Sequence, residues 1–292
     1  PTRRSSDLVL FTEGDLKQVV YAFFVFLKRE NLKMYCILRI LNNNALLAKV
    51  KEDDSERILL GKGIGFGKKA GDEFTEIPGA SVYTPVVREE RNSAMNVVNT
   101  IDPVYIEAAA KIIEEAEQVF DTIKRDILLP LADHIAFAAK REQEKIFLSN
   151  PFVPDIKILF GKEYAVALKS REIIEKMTGY RISDDEAGFI ALHIHSGLSD
   201  EQVSDTLKTT QIIDDCILMI EECLGDKIHQ DSFAYIRLMS HLYYMVVRAK
   251  TGEAVNIELN DFIRSKYPKA GQISEVICHY MEKKLEKKLD KE

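Results

Sequence analysis

The chain has 292 residues, 46% of them hydrophobic, which is enough to bury a core in two or three domains of ordinary size and excludes a disordered protein. Its formal charge of −7 excludes a protein that coats nucleic acid over its whole surface, although charge is open to segregation by domain. Cys36, Cys216, Cys223 and Cys278 are scattered, with neither a CxxC pair for zinc nor the dense spacing of a secreted disulfide framework.

The N-terminal residues stand apart. Pro1-Thr-Arg-Arg-Ser-Ser-Asp-Leu8 matches a common sequencing-library adapter translated in frame, and Met34 opens the first recognisable pattern. Residues 1–33 are therefore expected to be adapter plus upstream read-through; a genuine extension is the other reading. The apolar run Val19 to Leu27 is too short to span a bilayer, and Lys28-Arg29-Glu30 stands where a signal peptide would have small residues, so a cytoplasmic protein is expected.

From Met34 to about Val87 the chain reads as four short strands: Ile37 to Leu41, Ala45 to Val50, Arg57 to Leu60 and Ser81 to Val87. Asn42-Asn43-Asn44, Asp53-Asp54-Ser55 and a glycine-rich stretch separate them, which is the punctuation of an antiparallel sheet. So small a sheet is short of core, and dimerisation would supply the missing burial. Between Met34 and Lys69 there are seven Lys or Arg against four acids, so this segment runs against the acidic whole.

A polar stretch, Arg88 to Ser93, leads into an all-helical remainder. Pro103 suits the first turn of a helix carrying Ile106, Ala109, Ile113, Ala116, Phe120 and Ile123 inward, and Pro130 suits the opening of the next, with Leu131, Ile135 and Ala138 inward. Glu163 to Thr178 follows, with Gly179 as C-cap. Ser183-Asp-Asp-Glu186 has capping-box spacing ahead of a helix with Phe189, Ile190, Leu192, His193 and Ile194. A second helical set begins near Ser204, and Glu282 to Glu292 reads as a solvated face.

The second set echoes the first. Leu131-Ala-Asp-His134-Ile-Ala-Phe-Ala-Ala-Lys-Arg141 returns 107 residues later as Leu238-Met-Ser-His241-Leu-Tyr-Tyr-Met-Val-Val-Arg248, and the same offset carries Phe160-Gly-Lys162 onto Tyr267-Pro-Lys269. A period this long is a duplicated domain and not a stacked array. It sends Ser183 to Glu186 onto positions 290–293 and His193 to position 300, so the second copy is expected to be incomplete and the less stable of the two.

Two constellations could carry chemistry. Gly61-Lys-Gly-Ile-Gly-Phe-Gly-Lys-Lys69 joins backbone freedom, three lysines and one aromatic, a composition suited to RNA: glycines let N–H groups approach phosphates, lysines screen charge, and Phe66 stacks on an unpaired base. A glycine-rich hairpin with solvated lysines explains the same residues. Asn42 and Asn44 suit either a turn or the edges of bases. Among the histidines, His134 and His241 hold one place in both copies, which points to a shared task such as accepting a phosphoryl group on a neutral imidazole. A metal-dependent phosphohydrolase built on Asp133, His134, His193 and His195 is the alternative, weakened by Ser240 standing where the repeat would put a second Asp.

These motifs converge on a family. Met34 to about Val87, with its ILNNN and GKGIGFGKK runs, resembles the co-antiterminator RNA-binding domain of BglG/SacY-type transcriptional antiterminators. LADHIAFAAKR, DEAGFIALHIHSG and SHLYYMVVR resemble the PTS regulation domains that follow it. The resemblance implies an α+β multidomain protein: an RNA-binding sheet over 34–88, a first helical-bundle regulation domain over 97–203 and a second, incomplete one over 204–292. It implies no catalytic turnover and no cofactor or metal. Implied RNA contacts are Asn42, Asn44, Lys62, Gly63 and Phe66, with Lys68 and Lys69, and implied phosphorylation sites are His134, His193 and His241. Implied partners are a leader-mRNA hairpin, a second copy of the chain, the phosphocarrier HPr and a sugar-specific transporter component.

Overall fold

The computed structural model describes residues 33–75, 77, 79–85, 98–199, 201–253 and 264–289. The readings of residues 1–32, of the Arg88 to Ser93 stretch and of positions 290–292 lie outside these. The chain divides into a sheet unit ending at Thr84 and a helical unit from Pro85 onward.

The sheet is antiparallel, with β1 (Tyr35–Asn42), β2 (Ala45–Val50), β3 (Glu56–Leu60), β4 (Glu73–Phe74) and β5 (Ser81–Tyr83) in the order β4-β1-β2-β3-β5. This corrects the four-stranded expectation to five strands. The extra strand, β4, is two residues long and exists because Tyr35 and Cys36 pair with Phe74 and Glu73, while at the same edge the Ile37 N–H donates to the Asp72 carbonyl and the Ile37 carbonyl accepts from the Gly71 N–H. So short a segment has no period to read. On one face Ile37, Leu46, Ala48, Leu59 and Ile64 form a buried core, with Tyr35, Phe74 and Ile77 packed at its rim. Ile64 comes from the glycine-rich loop, so the core itself fixes that loop.

The first helical copy comprises α1 (Pro103–Glu117), α2 (Leu128–Glu144), α3 (Val153–Leu159), α4 (Gly161–Thr178) and α5 (Asp184–Leu198). Asp102 caps α1 by accepting from the Val104 N–H, and Pro103 follows in the first turn as the sequence requires. Helix α1 ends at Glu117, so Phe120 and Ile123 lie beyond it; Arg125 folds back to fork the Glu117 carboxylate at 2.6 and 2.9 Å, and the Lys124 N–H reaches the Gly197 carbonyl. Helix α2 starts two residues before Pro130, which sits inside its first turn instead of opening it. Leu131, Ile135 and Ala138 are buried as the spacing demanded.

The second copy comprises α6 (Val203–Leu224), α7 (Phe233–Thr251) and α8 (Pro268–Leu285). The 107-residue echo is structural. Helices α4 and α8 are both 18 residues long and begin and end at equivalent positions. The left-handed turns that stop the helices recur too: Lys145 and Gly252 close α2 and α7, and Gly179 and Glu286 close α4 and α8. Ile213, Cys216, Ile217, Met239, Leu242, Val246, Ile277 and Met281 make the core of this copy, and Ile158 and Leu159 of α3 pack against it. The Tyr235 hydroxyl donates to Asp155 Oδ1 at 3.1 Å, tying α7 to α3. Among the described residues no helix is long and apolar enough to cross a membrane.

Candidate RNA interface and histidine cluster

The loop from Gly61 to Asp72 is held from beneath by the β1–β2 hairpin. Asn42 Oδ1 accepts from the Asn44 N–H at 2.8 Å and Asn44 Oδ1 accepts from the Gly63 N–H at 2.9 Å. The Asn43 and Asn44 carbonyls accept from the Gly65 and Gly61 N–H groups, both at 2.9 Å. Both asparagine carbonyl oxygens are thus committed to the frame of the turn and loop. Gly63 and Gly67 take φ of +73° and +70°, a region open to glycine, so they set the path of the loop. Asp72 Oδ2 closes the far side by accepting from the Lys69 N–H at 2.9 Å.

This frame alternates its side chains. Ile64 points into the core, while Phe66 projects with 79% of its surface exposed and Lys62, Lys68 and Lys69 are exposed on the same loop. An aromatic ring held out on a rigid cationic loop contributes nothing to the sheet's own core.

In the helical unit, His134 lies on α2 and His193 on α5. Their rings face each other at 5.2 Å between centroids, with Phe189 at 5.7 Å from His134. Glu186 lies against His134: its Oε2 is 3.1 Å from His134 Nε2, off the axis of a ring N–H, and its carboxylate is forked by Arg141 at 2.7 and 2.9 Å. The Glu186 side chain is only 7% exposed. Burial pushes its carboxyl up, and the contacts with His134 and Arg141 together outweigh burial and leave it below the usual carboxylate range. His193 also borders a cleft of about 420 Å³ lined by Lys124, Pro130, Ser196 and Gln202.

The capping reading of Ser183 holds for the serine, whose hydroxyl accepts from the Glu186 N–H at 3.2 Å. The Glu186 carboxylate goes instead to Arg141 and His134. Neither Glu186 nor Arg141 was singled out as a site residue from sequence. The available signal was the echo itself, since Arg141 and Arg248 both stand seven residues after the repeated histidine.

The metal-hydrolase alternative fails here. His195 turns away from His134 and His193: its Nδ1 lies 3.1 Å from Glu163 Oε1 and its ring packs tilted against Phe160, with centroids 4.1 Å apart. Among the described residues no three His, Cys, Asp or Glu side chains gather to hold a metal ion. His241, the counterpart of His134, is exposed on α7.

Comparison with known proteins agrees with this architecture. A family model of the CAT RNA binding domain matches residues 35–85, and one of the PRD domain matches residues 91–197 and 214–292. The chain is 31% identical over 258 residues to the GlcA/glcB genes antiterminator of Staphylococcus carnosus (strain TM300), covering 86% of this chain and 89% of that one. It is 27% identical over 257 residues to the transcription antiterminator LicT of Bacillus subtilis (strain 168), covering 87% and 92%. Among solved structures, the crystal structure of GlcT CAT-PRDI is similar, with 31% identity, a TM-score of 0.48 and coverage of 57% of this chain and 99% of that one. The chain belongs to the family of transcription antiterminators that join a CAT RNA-binding domain to PRD domains.

Proposed function

We propose that the chain binds a leader-mRNA hairpin as a dimer, preventing an overlapping terminator from forming in a sugar-utilisation operon, and that histidine phosphorylation sets its activity. The observation that carries the RNA half is Phe66, 79% exposed on the same loop as the exposed Lys62, Lys68 and Lys69, a loop whose frame is fixed by Gly63, Asn42 and Asn44. Stacking on an unpaired base would cover the ring, and the lysines would screen the flanking phosphates. A second copy of residues 34–88 would widen this surface to the span of a stem-loop.

Control falls to regulation domains over 97–203 and 204–292. His134, His193 and His241 are the acceptors, and HPr and a sugar-specific component of the phosphotransferase system are the donors. A phosphohistidine adds about two negative charges and strong acceptor oxygens, enough to repack the elements around it. The protein acts by binding, without turnover.

Two measurements test this reading. Affinity for the leader hairpin should fall steeply as salt rises, because lysine contacts to phosphates release counterions. Incubation with labelled phosphoenolpyruvate, Enzyme I, HPr and the transporter component, mapped under alkaline conditions, should label the parent and leave the His134→Ala/His193→Ala/His241→Ala variant unlabelled. Equal labelling of both proteins would refute the acceptor assignment.

A further inference from the structure

The first helical copy brings two acceptor rings together around one arginine that is already committed. His134 and His193 face each other at 5.2 Å, and Arg141 is spent on Glu186, whose buried carboxylate lies 3.1 Å from His134 Nε2. Asp133 adds a further carboxyl beside His134, held above the usual carboxylate range by burial, which the contact with His134 offsets only in part. A cation, Lys124, borders the cleft at His193.

A phosphoryl group brought here carries about two negative charges into a place already holding a carboxylate and shielded from solvent. Arg141, which already grips the carboxylate beside His134, can offer compensation only by leaving Glu186. A second phosphoryl group on the facing ring, whose centroid is only 5.2 Å from the first ring's, would add like charge to the same enclosed space, with Arg141 no longer available and Lys124 facing a surplus of charge.

We infer that His134 and His193 form a single phosphoryl seat, in which a group on one ring excludes a group on the other and the Arg141–Glu186 fork opens to admit it. The inference rests on the proposal that these histidines are phosphoryl acceptors. In the transfer, the donor's N–P or S–P bond breaks and its electron pair returns to the donor atom. The lone pair of a neutral ring nitrogen forms the new N–P bond, the three phosphoryl oxygens travel with the phosphorus, and the other ring nitrogen keeps its proton. Because Glu186 is the N3 residue of α5, opening the fork unties the start of α5 from α2. The chemical event is thereby linked to a helix contact.

The test uses the full chain carrying His241→Ala, phosphorylated to saturation by phosphoenolpyruvate, Enzyme I, HPr and the transporter component, with intact-mass measurement and peptide mapping at alkaline pH. One phosphoryl group in total on His134 and His193 is expected. Adding His134→Ala should move that group to His193 at the same stoichiometry, and adding His193→Ala should hold it on His134. Glu186→Gln, which keeps the shape and removes the charge, should raise the phosphorylated fraction at a fixed donor ratio by about tenfold, the low end of what removing a close like charge does to an ionisation. Chains carrying phosphate on both rings would overturn the single seat and leave the acceptor proposal standing, and a label lost in either single variant would do the same. No phosphate on either ring would overturn both. The stoichiometry is read without altering any residue of the cluster, so it does not depend on the variants folding.

Discussion

Gly65 lies so close to Asn42 that a Cβ built on it would sit 2.3 Å from the Asn42 carbonyl oxygen. That is backbone against backbone, with no flexible side chain to yield, and it presses the glycine-rich loop onto the β1–β2 turn. Gly65→Ala should therefore lift the loop, destabilise the sheet unit by about 1–3 kcal/mol and weaken hairpin binding along with it. Gly63 makes a contrast: a Cβ there meets nothing within 4 Å, and only its φ of +73° resists a side chain. Gly63→Ala should cost about 1–2 kcal/mol. Denaturant unfolding of both variants, with RNA titration beside it, separates the close approach from the backbone conformation.

The Arg141–Glu186 fork predicts an asymmetry in the helical unit. Arg141→Ala leaves the Glu186 carboxylate buried beside His134 without its guanidinium, and should cost about 2–3 kcal/mol, below the usual loss for a fully enclosed pair because Arg141 keeps some water. Since the Glu186 carboxyl is held below its ordinary range, its contribution is present above the unfolded carboxylate pKa and is lost as pH falls through the lower folded value. Urea unfolding from pH 7 down to pH 3 should show that acid loss in the parent and a smaller one in Arg141→Ala.

Asp155 gives the opposite sign. It is 5% exposed, and burial raises its carboxyl to about 6 even though the Tyr235 hydroxyl, which donates to it, pulls the other way. A folded pKa above the unfolded one means the native state holds the extra proton, so this group's contribution is fully present below about pH 4 and is lost as pH rises through about 6. Asp155→Asn keeps an oxygen for Tyr235 and removes the charge. It should stabilise the helical unit by about 2 kcal/mol at pH 7 and do little at pH 4, as read from paired unfolding curves at the two values.

The parts of this molecule that were legible in sequence are those written by local or repeated patterns. The 107-residue echo, which carries Phe160-Gly-Lys162 onto Tyr267-Pro-Lys269, holds at α4 and α8 because a duplicated bundle repeats its stops as well as its stripes, down to the left-handed turns at Gly179 and Glu286. The loop was legible as glycine-rich punctuation between strands, and a hairpin with solvated lysines accounts for that composition as well as an RNA grip does. What escaped depends on distance. The partners Arg141 and Glu186 are 45 residues apart, and nothing local distinguishes a glutamate that closes a capping box from one that leaves it for an arginine on another helix. His195 entered only the metal alternative; it stands two residues from His193, a spacing that on a helix turns the two rings to different faces, and Phe160 and Glu163 claim the second. The strand β4 is made by its neighbour's hydrogen bonds and carries no signal of its own.

The loop carrying Phe66 is proposed to grip the RNA, and equilibrium titration of the leader hairpin with the parent chain and with Phe66→Ala tests this most directly. The variant removes a side chain that is 79% exposed, so the fold should be untouched and the thermal midpoint unchanged. Loss of one base stack should weaken binding by about 1–3 kcal/mol, roughly a 5- to 150-fold rise in Kd. Binding by Phe66→Ala as tight as that of the parent, at the same salt, would contradict the account.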